Sequence, residues 1–206
     1  MYKKELIIKG PKNAKKKLIL AHGAGAPMDH PWMEELTSNL VKENIQVIRF
    51  EFPYMKERRE NGKKRPPNTA KVLLECWREV FKLVGDEEVY IGGKSMGGRM
   101  ASLVCDELSP KGLICLGFPF HAPGKGPKDR ILHLEDLQTK SLIVQGTRDS
   151  MGNKSEVENY RLSKKIKIHW LYDGDHGFKP RKRETSKTQS DYLYETSVEI
   201  SNFMQL

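Results

Sequence analysis

Seven short apolar runs recur along the chain, most of them far enough apart to leave room for a helix: ELII, KLILAHG, IQVIRFEFP, VYIGG, GLICLGFP, SLIVQG and IKIHWLY. Several are almost continuously apolar and rich in branched residues, the pattern of a strand buried on both faces. The stretches between them repeat apolar residues at helical spacing. Met33, Leu36 and Leu40 predict a helix over 30–43, entered at Asp29-His30-Pro31. Ala70, Leu73, Trp77, Val80, Phe81 and Val84 form one stripe over 68–84, with Asn68 or Thr69 as cap. Met96, Met100, Leu103 and Val104 share a face over 96–108. Shorter helices are expected over 129–137 and 153–161, and a last one near 190–205 carries Leu193, Ile200, Phe203 and Met204 inward. Strands alternating with helices predict an α/β protein, a three-layer α/β/α sandwich around a mostly parallel sheet of about seven strands. No internal repeat or long linker divides the chain, so residues 1–206 read as one domain.

Ligands of such sheets gather at the carboxyl ends of the strands, which makes the loops after each strand the places to search. The stretch VYIGGKSMGGRMASL, residues 89 to 103, admits two readings. As the tail of a phosphate-binding loop, GGKS would offer Lys94 to phosphates and Ser95 to a metal. That loop needs a glycine five residues before its Gly-Lys pair, and the position holds Glu88, a carboxylate that repels the ligand. The phosphate pattern fails at its own spacing. Gly93-Lys94-Ser95-Met96-Gly97 also spells G-x-S-x-G, a serine on a sharp strand-to-helix turn, with VYIGG before it and MGGRMASLV after. Gly97 and Gly98 would let that helix approach the strand closely.

A serine hydroxyl needs a base, and the base an orienting acid, expected in the order Ser, Asp or Glu, His after late strands. SLIVQGTRDS supplies Asp149 and KIHWLYDGDHGF supplies His176, each just past a strand. Asp173 and Asp175 are expected to shape the His176 loop, while His169 and His133 are expected to be structural. Charge developing on an attacked carbonyl needs two backbone donors. The N–H of Met96, at the start of the following helix, is one candidate. Ala24, in the loop AHGAGAPMDH, is the other, with His22 bracing that loop.

AHGAGAPMDHP, RFEFPYM, GGKSMGGRMAS, GFPFHAPGK, QGTRD and GDHGFKPRK together resemble the small α/β-hydrolases of bacteria known as predicted hydrolases. Those are similar to dienelactone hydrolases and related to the testis-expressed proteins and a subunit of the non-specific-lethal complex. The resemblance implies a minimal α/β-hydrolase core without a lid domain and with Ser95, Asp149 and His176 as triad. The resemblance supplies no substrate. Seven strands and their helices consume most of the 206 residues and leave little for a lid. An uncovered pocket would suit small carboxylic esters or thioesters, cleaved through an acyl-enzyme. The alternative is a catalytically silent scaffold kept as a protein-binding subunit.

Around this site, Phe118, Phe120 and Tyr54 are candidates for an apolar pocket wall, and Lys94, Arg148 and His121 for its rim. Two basic stretches, residues 54 to 68 and 179 to 187, together with Lys125 and Lys128, are expected to border the pocket and to favour anionic substrates. The net charge of +9 also raises nucleic acid, but no recognition helix, zinc spacing or stacking aromatics accompany it, so no specific nucleic-acid partner is expected. Metal spacing such as H-E-x-x-H is missing, with Asp29, His30 and His121 offering no local ligand pattern, so neither metal nor cofactor is implied. No run approaches the ~20 apolar residues of a membrane span. Three scattered cysteines, Cys76, Cys105 and Cys115, read as buried thiols. The expectation is a cytoplasmic protein, or one given without its targeting segment. Monomer and homodimer are both compatible with the sequence.

Overall fold

A computed structural model describes residues 5–85, 88–122, 124–126 and 130–205. Its strands are β1 (Ile7–Lys9), β2 (Lys16–Ala21), β3 (Ile45–Phe50), β4 (Val89–Lys94), β5 (Gly112–Leu116), β6 (Ser141–Gly146) and β7 (Ile166–Leu171). They form one sheet in the order β1-β3-β2-β4-β5-β6-β7. β1 runs antiparallel to β3, and every other pair is parallel. Helices α1 (Pro31–Lys42) and α7 (Gln189–Phe203) cover one face; α3 (Ala70–Val84) and α4 (Met96–Leu108) cover the other. Shorter helices are α2 (Pro53–Asn61), α5 (Leu132–Glu135) and α6 (Lys154–Val157).

The continuous apolarity of the strands follows from this layering. In β2, Leu18 and Leu20 enter the cluster under α1 and α7, while Ile19 and Ala21 enter the one under α3 and α4. Each fully buried Leu or Ile contributes about 1.5–3 kcal/mol, so neither face tolerates a polar register. Cys76, Cys105 and Cys115 are buried in these cores as free thiols, and burial pushes Cys76 and Cys105 up to about 12. No helix among the described residues is long and apolar enough to cross a membrane.

Helix entries obey local chemistry. His30 caps α1, its Nδ1 accepting from Trp32 N–H, and Pro31 fills the first helical position. Asn68 does not cap α3, which begins after Thr69. Its Oδ1 instead accepts the N–H of Tyr54 at 2.8 Å, an otherwise orphaned donor in the first turn of α2. Helix α2 itself escapes apolar periodicity because only Tyr54 and Met55 of its residues are buried. Pro53 starts it and Gly62, at φ 70°, ends it. Part of the first basic stretch is therefore helix. The helices expected over 129–137 and 153–161 contract to the single turns α5 and α6, with residue 129 outside the described part.

Helix α4 sits unusually close to the sheet. A Cβ on Gly97 would lie 2.5 Å from the carbonyl oxygen of His22, and one on Gly98 would lie 2.5 Å from that of Gly93. Only glycine fits at either place, and this contact sets where the chain before α4 must turn.

Candidate active site

Because β2, β4, β6 and β7 are parallel, the loops that follow them emerge at one edge of the sheet. Ser95 occupies the turn between β4 and α4 with φ 52° and ψ −118°. A non-glycine residue there stores about 1–3 kcal/mol of backbone strain. Two hydrogen bonds hold it: Ser95 N–H donates to Leu116 O at 2.9 Å, and Arg99 N–H donates to Ser95 O at 3.0 Å. The turn lifts the hydroxyl clear of the strand.

Ser95, Asp149 and His176 converge. His176 Nε2 lies 2.9 Å from Ser95 Oγ, and its Nδ1 lies 2.7 Å from Asp149 Oδ2. An ionised carboxylate can only accept, so Nδ1 carries the ring proton and Nε2 is left to accept from Ser95. Asp149 is fully buried. Its Oδ1 accepts from Met151 N–H at 2.8 Å and its Oδ2 accepts a second bond from Gln145 Nε2 at 3.0 Å. Gln145, also fully buried, accepts from Phe118 N–H at 2.7 Å and so ties the carboxylate to β6 and to the chain after β5. Sequence reasoning passed over it, although one amide inside the apolar run SLIVQG is the signal of a buried polar network. Asp173 and Asp175 shape the His176 loop: Asp173 pairs with Arg181, and Asp175 Oδ1 accepts from Gly177 and Lys179 N–H.

The loop after β2 lies against this group, and a Cβ on Gly23 would sit 3.6 Å from Ser95 Cβ. Its carbonyls are held from outside. His22 Nε2 accepts from Phe52 N–H at 3.1 Å, leaving Nδ1–H to donate to Gly23 O at 2.7 Å. Burial lowers the His22 pKa and keeps the ring neutral. Tyr54 Oη donates to Ala24 O at 2.9 Å, and Arg58 donates to Gly25 O at 3.1 Å. Tyr54 and Arg58 of α2 thus hold the carbonyls of Ala24 and Gly25, while His22 holds that of Gly23. The N–H groups of Ala24 and Met96 make no hydrogen bond among the described residues.

Several expected pocket residues sit elsewhere. Phe118 and Phe120 are fully buried in the core with their rings 4.9 Å apart, so they line no open wall. Tyr54 is also buried and braces the Ala24 loop; burial raises its phenol pKa, so it stays a donor. His121 is bound at both nitrogens, to Ala122 O and Glu156, and is a structural brace instead of a rim group. Arg148 lies beside Asp173 at 3.4 Å and donates to Lys179 O. Lys94 Nζ is buried behind the strand and away from any rim. Much of the flanking basic charge is already paired, Arg59 with Asp29 and Glu51, Arg65 with Glu57, and Arg181 with Asp173. Lys128 lies outside the described residues.

A second serine–histidine contact exists on the outer layer, Ser102 Oγ to His133 Nε2 at 2.8 Å. Ser102 is buried within α4 and also donates to Arg99 O. Burial pushes His133 down to about 4, and Asp106 spends its oxygens on the N–H groups of Gln138 and Thr139. That pair has neither an exposed nucleophile nor an orienting acid. Among the described residues, no group of three or more His, Cys, Asp or Glu side chains is arranged to hold a metal ion.

A parallel sheet between helical layers, with a strained serine on the strand-to-helix turn and no inserted lid among the described residues, defines the α/β-hydrolase class. The chain belongs to the alpha/beta hydrolase domain family, whose model matches residues 14–205. Solved structures share the fold. A dienelactone hydrolase from Anabaena variabilis superposes with a TM-score of 0.71 at 16% identity, over 94% of this chain and 88% of that one. An alpha-beta serine hydrolase homologue from Coxiella burnetii gives 0.68 at 16% identity, over 97% and 88%. A serine hydrolase without lid from Xanthomonas campestris gives 0.63 at 15% identity, over 97% and 85%.

Proposed function

We propose that this protein is a serine hydrolase that cleaves small carboxylic esters or thioesters through an acyl-enzyme. The line of hydrogen bonds from Asp149 through His176 to Ser95 carries the proposal. Ser95 Oγ attacks the carbonyl carbon as its proton passes to His176 Nε2, and Asp149 stabilises the imidazolium. The N–H groups of Ala24 and Met96 take the oxyanion, the latter at the positive end of α4. His176 then gives its proton to the departing alkoxide or thiolate. Water, deprotonated by the same ring, releases the acid and restores Ser95. Ala24 and Gly25 are exposed, which favours compact, water-soluble substrates over long-chain lipids.

Labelling with a fluorophosphonate tests this without a known substrate. The expected adduct is a single phosphonyl group on the Ser95 peptide, read by mass spectrometry. A folded protein that takes no label, or takes it on Ser102, would turn the assignment towards a binding scaffold. Part of the positive charge around the site is spent within the protein, where Arg59, Arg148 and Arg181 are engaged by carboxylates. Exposed Lys63, Lys64, Lys179 and Lys182, in the segments that follow β3 and β7, remain to attract anionic substrates. An anionic ester is expected to react a few-fold faster than a neutral one of equal acyl length at low salt, with the gap closing in about 0.5 M salt.

Tyr54→Phe probes the oxyanion loop. Loss of the bond to Ala24 O is expected to lower kcat about tenfold while costing only about 1 kcal/mol of stability. An unchanged kcat would mean that the loop holds its own conformation.

A further inference from the structure

Lys94 is a charged residue beside the nucleophile that the mechanism leaves unused. It closes β4, and strand alternation sends its side chain to the face covered by α1 and α7. There its Nζ is buried and has no hydrogen-bond partner among the described residues. Two aromatic rings flank it, Trp32 with its centroid at 5.8 Å and Phe178 at 5.9 Å. Such faces attract an ammonium, but they replace only part of the water it has lost.

The other neighbour is the relay itself. A Cβ built on Gly117, at φ 62°, would lie 2.8 Å from Lys94 Nζ and 3.4 Å from His176 Cε1. Amine and imidazole therefore border the same side-chain-free space at Gly117. The carboxylates acting on Lys94 are Asp149, from the loop after β6, and Asp175, from the His176 loop. Both are already occupied, Asp149 by His176, Gln145 and Met151, and Asp175 by Gly177 and Lys179. Burial outweighs their attraction and pushes Lys94 down to about 8 from its ordinary 10.5.

During acylation His176 becomes an imidazolium, a positive charge near Lys94. If Lys94 is also charged, the two repel in surroundings where water screens poorly. We propose that Lys94 is a positioning residue for proton transfer from Ser95 to His176, slowing the step while charged and releasing it when neutral. The proton Lys94 loses goes to bulk water, and no other bond changes. The inference rests on Ser95 acting as nucleophile.

The test is the rate constant for fluorophosphonate labelling of Ser95 between about pH 6.5 and 9.5. The Lys94 variants assign any step near pH 8, because a step that belongs to another group persists in all of them. Wild type is expected to climb about tenfold through that region. Lys94→Met should label at the high rate already at pH 7 and show no step. Lys94→Arg, permanently charged, should stay slow throughout. Parallel profiles for wild type and Lys94→Met would overturn the inference alone. Absence of label from all three folded proteins would instead sink the hydrolase reading, and this inference with it. Should either variant fail to fold, [ε-13C]lysine NMR on the wild type decides. A Lys94 resonance titrating with the labelling step supports the proposal, and one that stays charged throughout it refutes it.

Discussion

Ser95→Ala is expected to abolish fluorophosphonate labelling and to reduce ester hydrolysis to the level left by the oxyanion donors and binding alone. That residue of activity is about 10³–10⁴-fold over water in enzymes built this way. The fold should survive, because alanine keeps the backbone path and Ser95 Oγ contributes one bond at a partly exposed site. Thermal stability within about 1 kcal/mol of wild type is the matching control. His176→Ala should cost nearly as much, and the double variant little more than either single one, since the groups act as a unit. Ester turnover surviving in Ser95→Ala at more than a few per cent would remove Ser95 from the mechanism.

Asp149→Asn is expected to slow labelling and hydrolysis about 10⁴-fold, although the change replaces one atom. The reason lies in the count of donors. His176 Nδ1, Gln145 Nε2 and Met151 N–H all donate to this carboxylate. An asparagine has one accepting oxygen and one NH₂ group, so at least one donor must face another donor. With the oxygen towards Met151, the NH₂ group meets His176, which then adopts the tautomer whose Nε2 carries the proton. That ring cannot accept from Ser95. With the oxygen towards His176, an unsatisfied N–H pair is buried at Met151, at a cost of about 1–3 kcal/mol. The check is a kcat series read together with a denaturation curve. A rate loss below tenfold in a protein of unchanged stability would argue against this geometry.

The arrangement of the chain was legible where physical signals are local. Continuous apolar runs marked the central strands, because residues such as Leu18 and Ile19 enter different cores and both must be apolar. The glycines around Ser95 marked the turn, since neighbouring backbone leaves no room for a Cβ at Gly97. Strand-then-loop order also placed Asp149 and His176 at the same edge as Ser95. Helix α2 was not legible, because it is anchored by two buried side chains and otherwise exposes charge. Its role in holding the carbonyls of Ala24 and Gly25 depends on contacts about thirty residues apart in the chain.

By itself, the sequence determined the layering, the loops that carry chemistry and the residues offered there, because periodicity, glycine sterics and chain order act over a few neighbours. Only the tertiary structure decided what each side chain at the strand ends meets. Phe118 and Phe120 became core, Tyr54 a brace and Gln145 a partner of Asp149. Lys94 went under Trp32 and Phe178 and not into a rim. A side chain at the end of a strand takes its direction from the pleat, but its surroundings come from elements distant in sequence. Burial, charge and hydrogen bonding all follow from those surroundings.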